Sequence, residues 1–199
     1  MSSIQSEIAA AAAACVVEEG LEYGPAKQRA LKNLGLPPRT ALPDNDLVEQ
    51  AVREHIAIFC ADTQPHELRA LRELALIWMD KLSAFEPLLG GAVWHGTATR
   101  LSDIYLQLFT DDPKALELWL INHQHPYDVA TARGLQGQPV DALSLQVQCA
   151  PLQTWVGLHL FVNPTQAQRG ALLADSQGRK PRGGMLAVRN LLVTTESTS

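Results

Sequence analysis

The hydrophobic pattern changes near residue 90, and this change constrains the fold more than any other feature of the sequence. Before it, apolar residues recur at helical spacing, most clearly in the segment that begins at Pro65 and ends at Phe85. After it, three segments alternate apolar and polar residues with a period of two, which is typical of β-strands. These segments are SDIYLQLF at 102–109, VDALSLQVQ at 140–148 and VGLHLFV at 156–162. The sequence therefore predicts a helical part followed by a sheet.

The predicted elements divide the chain into a helical N-terminal region at 1–64, an α/β domain at 65–193 and a flexible tail at 194–199. In the α/β domain the predicted order is helix, strand, strand, helix, strand, strand, helix. The first strand of that order is AVWHG at 92–96, directly after the helix-breaking Gly90-Gly91 pair. We expect a mixed α+β fold, with a sheet of about four strands covered by helices on one face.

Caps and breakers support the predicted helices. Gly20 ends the first helix, a proline-rich linker occupies 36–43, and Asp44 caps the helix that follows the linker. Two shorter helices are expected at 113–123 and 184–193, one on each side of the last two strands.

The composition excludes several classes of protein. The chain has 199 residues and a formal net charge of −5, so its overall charge does not favour nucleic acid as a partner. The three cysteines, Cys15, Cys60 and Cys149, form no Cys-x-x-Cys pair, which argues against a disulfide framework and for a reducing compartment. No apolar run approaches the roughly 20 residues that a transmembrane helix needs. We therefore expect a cytoplasmic protein with no membrane partner.

The alternating strands predict a sheet with one apolar and one polar face, because successive side chains of a strand point in opposite directions. If the three strands pair, the polar face collects Asp103, Tyr105, Gln107, Ser144, Gln146 and His159. This face is either a half-solvated surface with no further role or a binding surface. On such a surface His159 is the candidate for general acid–base catalysis.

The order of an apolar segment, Gly-Thr, a short spacer and Ser-Asp-Ile-x-Leu resembles the core of the nucleotidyltransferase fold, the DNA polymerase beta-like superfamily. The family pattern is an apolar strand ending in Gly-Gly or Gly-Ser, a helical spacer, and two acids at i and i+2 on the next strand. A third acid lies on a later strand. The resemblance covers roughly residues 65–162. The same segment also resembles a group of bacterial proteins of similar size, which implies no particular activity.

The resemblance implies a phosphate site and a metal site. Gly96, Thr97 and Ser102 would bind the phosphates of a nucleotide, and Asp103 would be the first acid, a ligand of Mg²⁺. Asp141 is the nearest candidate for the third acid, although its strand parity places it on the apolar face. The chain departs from the pattern at the second acid, where Tyr105 offers a phenol that is neutral near pH 7.

A basic segment near the C-terminus is a second candidate for binding anions. Arg179, Lys180 and Arg182 lie in a glycine-rich loop of an otherwise acidic chain. This loop is either a solvated surface loop or an anion clamp for phosphate, and it is the one place where nucleic acid would bind.

Other motifs carry weaker signals. His123 and His125 form a His-x-His pair, which would bind zinc only with further ligands such as His95 or His159. Ser144, like Ser102, lacks the Gly-x-Ser-x-Gly turn of a nucleophilic serine.

The leading hypothesis is a nucleotide- or phosphate-binding protein of nucleotidyltransferase type that has reduced or lost metal-dependent transfer. One alternative is an active nucleotidyltransferase that uses Asp103 with Mg²⁺. The other is a non-enzymatic regulatory module whose helical N-terminus binds a protein partner.

Overall fold

A computed structural model describes residues 3–175 and 178–196, with the side chains of Thr195 and Glu196 excepted. The chain forms two compact units. The first contains the residues up to Glu67 together with Thr97–Leu101, and the second contains Leu68–Gly96 and the chain from Ser102 onward. In the part of the chain described, no helix is both long and apolar enough to cross a membrane.

The first unit is helical. Its helices are α1 (Ser3–Glu19), α2 (Tyr23–Asn33) and α3 (Asn45–Phe59). The side chain of Asp44 accepts a hydrogen bond of 2.8 Å from the backbone N–H of Leu47, which confirms the predicted cap of α3. Apolar residues of all three helices share one buried cluster, in which Ile8, Ala30 and Val52 are among the most deeply buried.

The second unit combines helices with a sheet. Its helices are most of α4 (Gln64–Lys81), α5 (Gly91–His95), α6 (Ala115–Asn122) and α7 (Met185–Glu196). Its strands are β1 (Leu88–Gly90), β2 (Ile104–Phe109), β3 (Asp128–Arg133), β4 (Pro139–Cys149), β5 (Thr154–Asn163) and β6 (Arg182–Gly183). The strand order across the sheet is β3-β4-β5-β2-β1-β6, and only the β2–β5 pair is parallel. The predicted mixed α+β class is confirmed, but the sheet has six strands instead of four.

The two faces of the sheet differ as the alternation predicts. On one face, Ile104, Leu106, Leu158 and Leu160 are completely buried. Helices α4 and α6 supply apolar side chains in the same unit, and the indole of Trp78 in α4 meets that of Trp119 in α6 edge to face.

The other face is covered at one end and open at the other. At the end of β2, Phe109 packs with Leu88, Ala167 and Ala171, so the segment after β5 covers that end. At the start of β2, the side chains of Asp103 and Tyr105 remain partly exposed. A ligand therefore has access to this face at the start of β2.

The segment AVWHG is not a strand, so this prediction is wrong. The strand is the preceding Leu88–Gly90, and Gly91, at φ +66°, turns the chain into the short helix α5. Gly96, at φ +83°, ends that helix, and its N–H donates to the carbonyl of Ala92. The buried guanidinium of Arg72 donates to the carbonyl of Val93 at 3.1 Å, which satisfies a group that the helix leaves unpaired.

The last helix is longer than the sequence predicts. The predicted helix ends at residue 193, whereas α7 continues to Glu196. Residues 197–199 of the predicted tail lie outside the described part of the chain.

Gly183 makes room for a tryptophan beside β6. A Cβ atom at Gly183 would lie 2.3 Å from the indole of Trp94, whose Nε1 donates to the carbonyl of Lys180 at 2.7 Å. A Cβ atom at the adjacent Gly184 would meet its nearest neighbour, a methyl group of Leu88, at 3.7 Å, which is ordinary contact.

We expect Gly183→Ala to lower the free energy of unfolding by about 1–3 kcal/mol, because the indole or β6 must move. The matched control Gly184→Ala should change it by less than about 1 kcal/mol. Urea unfolding followed by circular dichroism measures both. Equal losses of free energy of unfolding in Gly183→Ala and Gly184→Ala would contradict the packing of Trp94 on β6.

Candidate functional site

Six residues form one row across the sheet. The strand registers pair Asp128 with Ser144, Ser144 with His159, His159 with Tyr105, Tyr105 with Gly90, and Gly90 with Arg182. Paired residues of neighbouring strands share a face, so this cross-sheet row lies on the open face. The row begins with the carboxylate of Asp128 on β3 and ends with the guanidinium of Arg182 on β6. Gly90 is the one position of the row without a side chain.

Asp103 lies just before β2, in a space that Gly157 of β5 leaves open. A Cβ atom at Gly157 would lie 2.6 Å from the Asp103 carboxylate, so only glycine permits this approach. The Gly157 N–H donates to Oδ1 of Asp103 at 3.0 Å, and Oδ2 lies 3.0 Å from Nε2 of His159. Both carboxylate oxygens therefore have a protein partner.

These contacts determine the charge of Asp103. The hydrogen bond from His159 lowers the pKa of the Asp103 carboxyl group, and this is the largest effect. Partial burial raises that pKa. The charge of His159 and the hydrogen bond from the Gly157 N–H lower the pKa further. Asp103 is therefore a carboxylate at neutral pH, although 43% of its side chain remains exposed.

His159 connects Asp103 to Ser144. Because a carboxylate can only accept, Nε2 of His159 carries the proton in this contact. In the neutral ring Nδ1 then accepts from the Ser144 hydroxyl, whose Oγ is 2.8 Å away. The ring of Tyr105 stacks on the imidazole with 4.9 Å between centroids and 19° between planes. The histidine is thus held in one tautomer and one orientation.

The glycine pair at the end of β1 lies beside Tyr105. Gly91 is exposed, and a Cβ atom there would lie 3.2 Å from the Tyr105 ring, on a left-handed backbone that favours glycine. On the other side of Gly90, Arg182 is held by a hydrogen bond of 2.5 Å from Nη1 to the carbonyl of Ala171. Burial lowers the pKa of this guanidinium, which nevertheless stays charged.

Of the predicted phosphate residues, Gly96 is not part of the cross-sheet row. Gly96 caps α5, where a Cβ atom would lie 3.5 Å from the Arg72 guanidinium. Thr97 belongs to the first unit and is only 3% exposed, so its side chain offers a ligand almost no surface. Ser102, the third predicted phosphate residue, is half-buried next to Asp103.

The predicted metal ligands Asp103 and Asp141 lie apart. Asp103 directly precedes β2 and lies on the same face of the sheet as Tyr105. Asp141 pairs with Val162 and lies on the opposite face, together with Leu143. Gly157, the contact of Asp103, and Val162 are five residues apart on β5, which is about 17 Å. Asp141 instead lines a separate cavity of about 500 Å³ with Asp111, Thr131 and other residues at the far end of the sheet.

The donor set does not fit a Mg²⁺ site. Asp103 already accepts from Gly157 and His159, the residue two positions after it is Tyr105 and not an acid, and Asp141 lies apart from it. Residues 3–175 and 178–196 contain no group of three or more His, Cys, Asp or Glu side chains arranged to hold a metal ion.

The basic loop reaches the row at a single residue. Arg182 lies in the row, Lys180 is exposed two residues before it, and Arg179 forms an ion pair of 3.1 Å with Asp175. The His-x-His pair is elsewhere: both imidazoles, His123 and His125, stack on Trp119.

Comparisons with protein-family models, with curated proteins and with solved structures find no match to this chain. The function of the site must therefore be inferred from its own residues.

Two parts of the site are absent from the sequence prediction. Gly90-Gly91 predicts a helix break, but Leu88-Leu89-Gly90-Gly91 also matches an apolar strand followed by a glycine pair. Gly157 lies inside an alternating strand, where a glycine often marks the close approach of another group.

The lowered pKa of Asp103 predicts a dependence of stability on pH. A carboxyl group with a lowered pKa in the folded state stabilises the fold above its unfolded pKa of about 3.9, and this contribution disappears as the pH falls through the folded pKa. Because the Asp103–His159 pair is partly exposed, Asp103→Asn should lower the free energy of unfolding by about 1 kcal/mol or less at pH 6. Below about pH 4 the free energies of unfolding of the variant and the wild type should become more similar.

Urea unfolding between pH 6 and pH 3 measures this difference. Asp128→Asn removes the same charge from an exposed position of the row and is the matched control. If Asp103→Asn and the wild type differ in free energy of unfolding by the same amount at every pH, the ionised Asp103–His159 contact is contradicted.

Proposed function

We propose that this protein binds a phosphate-bearing ligand, with a nucleotide as the leading class, without metal-dependent transfer. The supporting observation is the order of elements: β1 ends at Gly90, α5 begins at Gly91, and Asp103 precedes the neighbouring β2. This is the order of the nucleotidyltransferase pattern, with the glycine pair at 90–91 in place of Gly96-Thr97.

The proposed phosphate surface consists of Gly91, Tyr105, Lys180 and Arg182. Without a Cβ atom, an exposed glycine allows phosphate oxygens to approach backbone N–H groups. β6 adds positive charge, since Arg182 pairs with Gly90 in the sheet. A guanidinium has five N–H donors, so donors remain for phosphate oxygens beyond the one that Arg182 gives to Ala171.

The residues at the acid positions argue for binding without transfer. The pattern requires two acids at i and i+2, and these positions hold Asp103 and Tyr105. The residue next to Tyr105 on the adjoining strand and on the same face, where a third acid would complete the cluster, is His159. One acid, one phenol and one imidazole replace three carboxylates, so the charge that would hold Mg²⁺ is lost.

Thermal unfolding with ATP, GTP, CTP and UTP, each with EDTA and with Mg²⁺, tests the proposal. Binding to the folded state raises the melting temperature. We expect the nucleotides to raise it in EDTA, and we expect Arg182→Ala and Lys180→Ala to reduce that rise. Arg189→Ala, an exposed arginine of α7, is the control of equal charge and should leave the rise unchanged.

Two results would overturn the proposal. A rise that requires Mg²⁺ and disappears in Asp103→Ala would support an active nucleotidyltransferase. No rise with any nucleotide would remove the nucleotide site, and a protein partner recovered in a pull-down would then support a module that acts by binding another protein.

The hydrogen-bond chain Ser144–His159–Asp103 favours a second candidate activity, the hydrolysis of an ester. A hydroxyl, a base and an oriented acid in this order are the groups that activate a nucleophilic serine. The Ser144 Oγ would bond to the acyl carbon while His159 Nδ1 takes its proton and returns it to the leaving alcohol. Water then hydrolyses the acyl-serine.

The position of Ser144 makes this candidate weaker than phosphate binding. β4 pairs with both β3 and β5, so the backbone groups around Ser144 belong to the sheet and supply no oxyanion hole. The nearest polar side chain along the same face of β4 is that of Gln146.

A fluorophosphonate probe tests the serine directly. An active serine forms an Oγ–P bond as the P–F bond breaks, so the protein gains the mass of the probe minus HF. Ser144→Ala should prevent this, while Ser102→Ala should not. Intact-mass spectrometry after about an hour at pH 8 measures the adduct. Unmodified wild-type protein would show that Ser144 serves only to orient His159.

A further inference from the structure

A tryptophan on the open face has no role in the proposed phosphate surface. Trp155 is 65% exposed and lies four residues before His159 on β5, so both side chains point to the same face. It pairs with Gln148, and Gln146 pairs with Gly157; both glutamines are exposed on this face. A flat aromatic ring flanked by two amides is therefore available beyond Asp103.

We propose that Trp155 stacks on the base of the ligand, which makes the ligand a nucleotide and not a phosphorylated sugar or inorganic phosphate. This inference rests on the proposed phosphate surface. The ring face of an indole stacks on any nucleobase, and the amides of Gln146 and Gln148 can donate to or accept from the edge of the base.

The charges on the face give the orientation of the ligand. The carboxylate of Asp103 lies between Trp155 and the cross-sheet row, and it repels phosphate, whereas Arg182 at the end of the row attracts it. The phosphates therefore bind at the Arg182 end, and an uncharged part of the ligand passes Asp103.

A ribose suits the position beside Asp103. Each carboxylate oxygen accepts one protein hydrogen bond there, and a carboxylate has about four acceptor positions. A sugar hydroxyl can therefore donate to Asp103 without displacing Gly157 or His159.

The distances agree with a nucleoside di- or triphosphate. Trp155 lies about 13 Å along the strand from the row, and β5 lies about 10 Å from β1, so the diagonal from Trp155 to Gly90 is about 16 Å between backbones. Arg182 lies one strand beyond Gly90, about 20 Å from Trp155 between backbones, so a ligand that reaches from the indole to the guanidinium needs a chain of phosphates.

Isothermal titration calorimetry in EDTA, with ATP, GTP, CTP, UTP and inorganic tripolyphosphate, tests the inference. We expect each nucleotide to bind more tightly than tripolyphosphate. Trp155→Ala should weaken nucleotide binding about ten-fold, as loss of one base–aromatic stack does, and leave tripolyphosphate binding unchanged. Trp155→Phe, which keeps an aromatic face, should retain affinity within about three-fold.

The outcomes separate the two proposals. Unchanged nucleotide affinity in Trp155→Ala, with tripolyphosphate still bound, overturns the stacking and leaves the phosphate surface in place. Nucleotide binding that depends on Trp155 but not on Arg182 keeps the stacking and overturns the phosphate assignment. Absence of binding by every probe overturns both.

Discussion

The missing side chain at Gly157 determines the arrangement of the open face. It allows the Asp103 carboxylate to rest on β5, where the Gly157 N–H and His159 both contact it. Asp103 then fixes the tautomer of His159, and His159 supports the ring of Tyr105 beside the glycine turn. A side chain at position 157 would displace the carboxylate, and the contacts that hold His159 in one tautomer would be lost with it.

The fold could be predicted from the sequence where an element is long enough to display a period. β2, β4 and β5 each alternate over six or more residues, and Asp44 and Pro65 mark helix starts by their chemistry. β1 and β6 contain three and two residues, too few for any period to appear. AVWHG resembles a strand because apolar residues follow one another, but the left-handed turn at Gly91 and the cap at Gly96 make it helical.

The candidate site could be predicted only in part, for a related reason. Strand parity places Asp103, Tyr105, Ser144 and His159 on one face, and the structure has them there. Parity does not give the order of the strands, so the contact between Asp103 and His159, 56 residues apart, required coordinates. The same applies to Arg182, whose position next to Gly90 follows from the pairing of a two-residue strand.

In the proposed phosphate surface, Tyr105 stands at the position where the nucleotidyltransferase pattern would have its second acid. A bound Mg²⁺ neutralises phosphate charge and also promotes ionisation of the attacking hydroxyl, and both effects are needed for transfer. A guanidinium such as that of Arg182 supplies the first effect and not the second, because it cannot take up a proton from a hydroxyl. His159 is the imidazole of the row, but Asp103 occupies one of its nitrogens and Ser144 the other. The proposed surface can therefore hold a phosphate, while its imidazole is not free to activate an attacking hydroxyl, and for this reason we favour binding over transfer.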